Sequence, residues 1–140
     1  MKAGIVHSIS FAVCLILGLM VGGCSQDRSQ TGMWKGDRDW RKVNAETEAA
    51  SRAFAAVNLD LKASGEFLLQ DGGIPFTGTW VQSPEKVDLK VETILNKPLD
   101  LQAESTQGMS RFSIRVEGAR LFFNNPADET EIELKKELKP

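Results

Sequence analysis

The pattern of apolar and polar positions divides the chain into three parts. Residues 5–21 are largely apolar and follow a short N-terminus that carries one charged side chain, Lys2. Within residues 45–57, apolar positions recur at intervals of three and four, which predicts a helix. From residue 59 to residue 134, apolar and polar positions alternate in short runs, which predicts strands with one buried face and one wet face.

Together with a first strand before the helix, the alternating part predicts eight or nine short strands joined by turns. Turn signals such as Asp71-Gly72-Gly73 and Ser83-Pro84 end each apolar run. An antiparallel meander of that number closes into a small barrel most economically, because closure removes exposed strand edges. A two-sheet sandwich is the alternative. The predicted inward side chains are Trp34, Phe67, Phe76, Trp80, Leu89, Phe112, Ile114, Leu121 and Phe123.

Several element boundaries follow from the same pattern. The first strand is predicted over residues 32–43, with Trp34 and Trp40 on one face. Asn44 is the predicted cap of the helix, whose apolar face is Ala50, Ala53, Phe54 and Val57. Later inward positions are predicted at Val87, Leu89, Val91 and Leu95, and a further strand through Leu99, Leu101 and Ala103.

The apolar N-terminal run ends in Val21-Gly22-Gly23-Cys24, and the whole has the layout of an export signal. These four residues resemble the lipobox of bacterial lipoprotein precursors: an aliphatic residue, two small residues and a cysteine. The resemblance implies that residues 1–23 are a signal peptide cleaved before Cys24. It also implies a diacylglycerol on the Cys24 sulfur and a further acyl chain, typically palmitate, on the new amino group. An ordinary signal with a coincidental cysteine and an uncleaved membrane helix are the alternatives.

A lipidated Cys24 predicts a membrane-anchored protein, because two or more acyl chains hold a protein stably on a bilayer. Ser25 stands where an aspartate would resemble an inner-membrane retention signal, which favours the outer membrane over the inner one. Residues 24–31 are polar after the cysteine and are predicted to be a lipidated tether. The folded domain is predicted over residues 32–140.

Composition narrows the chemistry open to the mature chain. Removing residues 1–23 leaves 117 residues with 16 basic and 19 acidic side chains, a net charge of −3, which does not suit nucleic acid. His7 and Cys14 leave with the signal, and the chain has no tyrosine. Without imidazole or free thiol, we expect no Ser-His-Asp or Cys/His catalysis, no zinc site and no cofactor.

Gly32-Met33-Trp34 resembles the Gly-x-Trp opening of lipocalins and fatty-acid-binding proteins, whose first strand carries a tryptophan that closes the barrel floor. In the fatty-acid-binding group, as predicted here, a helical segment separates the first two strands. That group holds its ligand's carboxylate with an arginine and a tyrosine near the final strand. Residues 132–138 contain neither, and Lys136 is either inward-facing or solvated beyond the strand end.

Two functions are consistent with these patterns. The favoured one is a non-enzymatic envelope lipoprotein that binds a protein partner or cell-wall material at its surface. The alternative is a lipocalin-like carrier of a small apolar molecule. Trp34, Phe76 and Trp80 are either core or ligand-contacting residues, and the bulky inward set favours a filled core in a barrel this narrow. Asp37 and Asp39 are predicted on one strand face, as a neutralised surface pair rather than an acid–base or calcium site.

Overall fold

The structure, a computed structural model, describes residues 27–126, 128 and 131–138. The predicted signal peptide, the Val21-Gly22-Gly23-Cys24 motif and the first part of the tether lie outside these residues.

Nine strands account for most of this domain. They are β1 (Gly32–Asp37), β2 (Ala56–Leu61), β3 (Glu66–Asp71), β4 (Ile74–Gln82), β5 (Lys86–Ile94), β6 (Lys97–Pro98), β7 (Arg111–Glu117), β8 (Arg120–Phe123) and β9 (Ile132–Lys136). Helix α1 spans Glu48–Ala55, and α2 is a single turn, Glu104–Gln107. Two 3-10 turns lie at Trp40–Lys42 and Leu99–Leu101.

Eight of the strands form a closed antiparallel barrel. Strands β1, β2, β3, β4, β5, β7, β8 and β9 pair in that order, and β9 returns to β1 through Trp34 opposite Lys136. The two-residue β6 lies beside the end of β5 as an extra strand. The predicted all-β barrel is thus confirmed, and its architecture is consistent with a lipocalin-like fold. The two-sheet sandwich is wrong.

The up-and-down topology gives the barrel two distinct ends. We call the floor the end that holds the start of β1, the end of β9 and the β2–β3, β4–β5 and β7–β8 turns. The far end holds the segment from β1 to β2 with α1, the β3–β4 turn, the segment from β5 to β7 with α2, and the β8–β9 loop. Because every barrel pairing is antiparallel, chain segments alternate between these ends.

The barrel interior is occupied by the predicted inward residues. All nine are at most 3% exposed and belong to one core cluster. Phe112 on β7 meets Phe76 on β4 and Phe123 on β8 edge-on, with ring centroids 5.3 and 5.7 Å apart. Strands β4 and β7 are not neighbours in the sheet, so these rings meet through the interior.

Closure between β4 and β5 depends on a glycine. A Cβ atom on Gly78 would lie 1.9 Å from the carbonyl oxygen of Lys90, a distance that no side chain tolerates. The pairing register shifts between Thr77 and Gly78, and Glu92 is the extra residue on β5. Such a bulge lets the strands bend sharply enough to close the barrel.

The first strand is shorter than predicted. β1 ends at Asp37, and the Asp39 carboxylate accepts a hydrogen bond from the Arg41 backbone N–H at 3.1 Å, which starts a 3-10 turn. Asp37 and Asp39 therefore do not share a strand face. Trp40 is half-buried in that turn, outside the core, with the Arg52 guanidinium 4.4 Å above its ring. The capping preference of aspartate outweighs the apolar alternation here.

Helix α1 is also shorter than predicted and turns a different face inward. Thr47, and not Asn44, caps it, with its hydroxyl oxygen accepting from the Ala50 N–H at 3.1 Å. The buried residues are Ser51 and Ala55, whereas Phe54 is 54% exposed. Ala56 already pairs with Asp37 as the first residue of β2, so the requirements of the barrel end the helix.

Past the bulge in β5 the inward phase moves by one residue. Ile94 is buried, and Leu95, predicted to be inward, is 55% exposed. Leu95 and Asn96 both have positive φ and form a two-residue turn into β6. The strand predicted through Leu99, Leu101 and Ala103 is wrong. The chain there forms a 3-10 turn and α2, because β7 pairs with β5 over Lys86–Lys90 and only the end of β5 is left, where the two residues of β6 pair.

Candidate functional site

The three aromatic residues predicted as core or ligand contacts all point into the barrel. Trp34 is 1% exposed, and Phe76 and Trp80 are each 2% exposed. Trp34 and Trp80 lie at the floor, and Phe76 lies near the far end against Phe112. Ring-to-ring contacts occupy the space between β4, β7 and β8, where a carrier would hold its ligand.

The floor is closed by residues 27–31, which belong to the predicted lipidated tether, residues 24–31. We call this stretch the floor segment. Gln82 at the end of β4 fixes it: its side-chain amide accepts from the Gln30 N–H at 3.1 Å and donates to Ser29 Oγ at 2.8 Å. The same amide nitrogen is 3.3 Å from the Asp27 carboxylate. Gln30 is consequently only 9% exposed.

Both floor tryptophans donate their indole N–H to backbone oxygens that close this end. Trp34 Nε1 donates to the Gln30 carbonyl, and Trp80 Nε1 donates to the Lys62 carbonyl, each at 2.9 Å. The Arg28 guanidinium lies 5.9 Å from the Trp80 ring centroid and donates to the Ala63 carbonyl. The floor segment is thereby joined to β1, β4 and the β2–β3 turn.

Lys136 is neither inward-facing nor beyond the end of its strand, the two alternatives that the sequence left open. It belongs to β9 opposite Trp34, so the strand has not ended before it. The residue is exposed, but its ammonium lies 5.4 Å from the Trp34 ring centroid, at the floor rather than in the interior. A lysine over an indole face is a favourable cation–π contact. Lys136 thus covers the floor and does not reach a central ligand position.

The far end holds a polar network that the sequence analysis did not predict. The Arg38 guanidinium forms a two-pronged contact with Asp128, at 2.8 and 2.7 Å, and contacts Asp71 at 2.5 Å. Asn125 donates to the other Asp71 oxygen at 2.7 Å. Asp71 is 7% exposed and Asn125 is 9% exposed. The network ties the ends of β1 and β3 to the β8–β9 loop.

The charges of this network stabilise one another. Hydrogen bonds donated to Asp128 raise the pKa of Arg38 above its ordinary value, and those to Asp71 add to this effect, which exceeds the opposing effect of burial. One signal in the sequence could have revealed the site. Asp71 follows Phe67 and Leu69 at the same two-residue spacing, so its side chain is expected to point inward. A buried carboxylate requires a hydrogen-bonding or charged partner.

Exposed apolar side chains also gather at the far end. Phe54, Ile74 and Leu95 are 54, 43 and 55% exposed. The Leu95 N–H donates to the Pro75 carbonyl at 2.9 Å, and the Phe54 carbonyl oxygen is 3.0 Å from the Cβ position of Gly72. These contacts bring the end of α1, the β3–β4 turn and the β5–β6 turn side by side. We call Phe54, Ile74 and Leu95 the far rim.

A groove of about 500 Å³ runs along the outside of β4, β5 and β7. Cations line it at Lys86, Lys90 and Arg111, with Asp88 as its carboxylate. Burial raises the pKa of Asp88, but hydrogen bonds from Lys86 and Ser113 outweigh this, and its pKa is lowered. The groove therefore carries an excess of positive charge at neutral pH.

Two of the groove cations form an unfavourable pair. Lys90 and Arg111 stand directly opposite each other on β5 and β7, where like charges destabilise a sheet. Within the described part of the chain, neither forms an ion pair within 4 Å, whereas Lys86 is neutralised by Asp88 and Arg115 by Glu131. Arg111 nevertheless acts on the Asp88 carboxylate at longer range, where its charge helps to lower the pKa of Asp88.

The acidic residues do not assemble into a metal site within residues 27–126, 128 and 131–138, where no group of three or more His, Cys, Asp or Glu side chains converges. Asp37 is exposed at the end of β1. Asp39 is occupied in capping the 3-10 turn. These two carboxylates have separate structural positions and do not form a pair.

In the described part of the chain, no helix has the length and apolar character to cross a membrane. In comparisons with known proteins, no family model, curated protein or solved structure matches this chain.

Proposed function

We propose that the protein is a membrane-anchored lipoprotein of the bacterial envelope and that its barrel is a non-enzymatic binding module. The anchor is the acylated Cys24 that the Val21-Gly22-Gly23-Cys24 motif implies, and the outer membrane is the favoured location. The observation that carries the binding role is the arrangement of apolar side chains: the interior rings pack on one another, while the far rim offers apolar surface to a partner.

The interior packing supports recognition on the outside of the barrel. A carrier needs a pocket of about 300–1,000 Å³ that encloses most of its ligand. Here Trp34, Phe76 and Trp80 are at most 2% exposed and belong to one cluster that joins all eight barrel strands. The lipocalin-like carrier would have to displace these side chains, at a cost of several kcal/mol for each emptied aromatic site.

The far rim fits an envelope protein as the partner. Large contiguous patches of exposed apolar side chains are uncommon on monomeric proteins, and where they occur they mark interaction sites. Phe54 supplies an aromatic side chain, the type enriched at binding hot spots, beside the aliphatic Ile74 and Leu95. The catalytic groups imidazole and thiol are missing from the mature barrel, which supports binding without turnover.

The anchor is tested by Cys24→Ala in the native host. The variant should leave the membrane fraction, because without the thioether no acyl chain attaches. Ser25→Ala, one residue away, is the matched control and should remain membrane-bound. If Cys24→Ala still sediments with membranes as the unchanged protein does, the lipoprotein assignment is wrong.

The partner surface is tested by recovering crosslinked partners of the lipidated protein. Phe54→Ser should lose an envelope-protein partner that Leu101→Ser retains, since Leu101 is 76% exposed but lies on the neighbouring 3-10 turn, outside the far rim. Equal recovery with both variants would contradict the role of the far rim.

A further inference from the structure

The floor segment shortens the connection between the barrel and Cys24. Five residues predicted to belong to a polar tether are instead held by Gln82, Trp34 and the β2–β3 turn. The first of them, Asp27, accepts a hydrogen bond from the Ser29 N–H at 3.0 Å and lies beside the Gln82 amide. Only three peptide units separate Asp27 from Cys24.

Chain geometry limits how far the barrel can move from the lipidated residue. Three residues span at most about 11 Å, whereas the eight residues from Cys24 to Gly32 would span up to about 29 Å if they were free. The nine residues of β5 extend about 30 Å, which corresponds to roughly 23 Å along the axis of a barrel with strands tilted by about 40°. The short connection therefore reaches less than half the height of the barrel.

We infer that the floor segment holds the barrel upright on the membrane, with its floor on the lipid surface and its far rim directed away from it. The inference rests on the proposed acylation of Cys24. A free tether of eight residues would allow the barrel to turn over, since its reach exceeds the barrel height. A connection of three residues does not, because an inverted barrel would hold Asp27 roughly 23 Å above the bilayer, beyond a reach of about 11 Å.

This orientation gives the two ends separate roles. The floor, where the Arg28 guanidinium lies against the β2–β3 turn and the Trp80 ring, faces the phospholipid head groups. Phe54, Ile74 and Leu95 stand at the opposite end, where lipid does not compete with a protein for their apolar surface. The contacts of the floor segment with Gln82, Trp34 and the β2–β3 turn thus set which surface the protein presents.

The experiment compares two labelled positions at opposite ends of the lipidated, full-length protein. Ala119 in the β7–β8 turn at the floor and Ala49 in α1 at the far end are both exposed alanines. Each is changed to cysteine and labelled with a fluorophore, which the acylated Cys24 sulfur does not react with. The protein is placed in phosphatidylethanolamine–phosphatidylglycerol vesicles that contain a head-group-attached quencher.

We expect quenching at position 119 to exceed quenching at position 49 several-fold. Gln82→Ala, which removes three contacts of the floor segment, should reduce this difference. Insertion of twelve Gly/Ser residues after Ser25, which adds about 19 Å of root-mean-square reach, should abolish it. Circular dichroism spectra should show that both variants keep the sheet structure.

Equal quenching at the two positions in vesicle-bound protein would overturn the upright orientation and leave the acyl anchor intact. A difference that survives the Gly/Ser insertion would also overturn it, because the short connection would then not be its cause. If the protein does not sediment with the vesicles and mass spectrometry finds Cys24 unmodified, the lipoprotein proposal fails, and the orientation fails with it.

Discussion

Replacing Arg38 by alanine tests whether the far-end network stabilises the barrel. The change removes the guanidinium from Asp71, a carboxylate that is only 7% exposed, and from Asp128. Asp71 would keep the Asn125 amide as its hydrogen-bond donor. Removing one partner of a fully buried pair costs about 3–5 kcal/mol, because a charge is left buried and uncompensated.

The expected loss is somewhat smaller here. The Arg38 and Asp128 side chains are 19% and 18% exposed, so water compensates part of the change. We expect a loss of about 2–4 kcal/mol in the free energy of unfolding for Arg38→Ala. Arg38→Lys should lose less, since it keeps the positive charge but not the planar fork that contacts both carboxylates.

Urea unfolding of the mature chain carrying Cys24→Ala measures the effect. With a slope of about 1–3 kcal/mol per molar urea, the midpoint should fall by at least about 0.7 M. Arg120→Ala is the matched control, because Arg120 and its partner Glu117 are more than half exposed, and it should change stability by at most about 1 kcal/mol. Asp71→Asn should recover part of the loss when combined with Arg38→Ala. Equal, small losses for Arg38→Ala and Arg120→Ala would refute the reasoning.

Three further changes test the core, the closure and the groove. Trp80→Ala should lose about 3–5 kcal/mol of stability in urea unfolding, because it empties a core site. Val81→Ala, at a position 47% exposed, should change stability by at most about 0.5 kcal/mol. Similar losses for the two variants would mean that the inward face is misplaced. Gly78→Ala should lose at least about 1–3 kcal/mol through overpacking against the Lys90 carbonyl, and an unchanged urea midpoint would contradict the close approach. Lys90→Glu should raise stability by about 0.2–1 kcal/mol at low salt by pairing with Arg111, and a loss would show that the two cations do not repel each other.

The sequence predicts the barrel because its physical signal is strong. Alternation over β3, β4, β7 and β8 places one apolar row on one face. The inward residues predicted on these strands are all buried: Phe67, Phe76, Trp80, Phe112, Ile114, Leu121 and Phe123. A meander with a single buried face then has few ways to pair the backbone N–H and C=O groups of its edge strands, and closure into a barrel is one of them. Fold class and core were therefore predictable without knowledge of any long-range contact.

Positions set by competition between local and long-range demands were not predictable in the same way. Phe54 has helical spacing but is exposed, because β2 must begin at Ala56 opposite Asp37. Leu95 falls out of phase because of a bulge that only the closing of β4 on β5 requires. The floor segment reads as a polar spacer, since the hydrogen bonds of Gln82 join residues more than 50 positions apart.

The acylation of Cys24 is the claim on which the proposed function depends, and intact-mass spectrometry of the protein purified from membranes of its native host tests it most directly. The account predicts a chain that begins at residue 24 and carries a diacylglycerol on that cysteine, with a further acyl chain on the amino group. A chain that retains residues 1–23, or one with an unmodified residue 24, would contradict it.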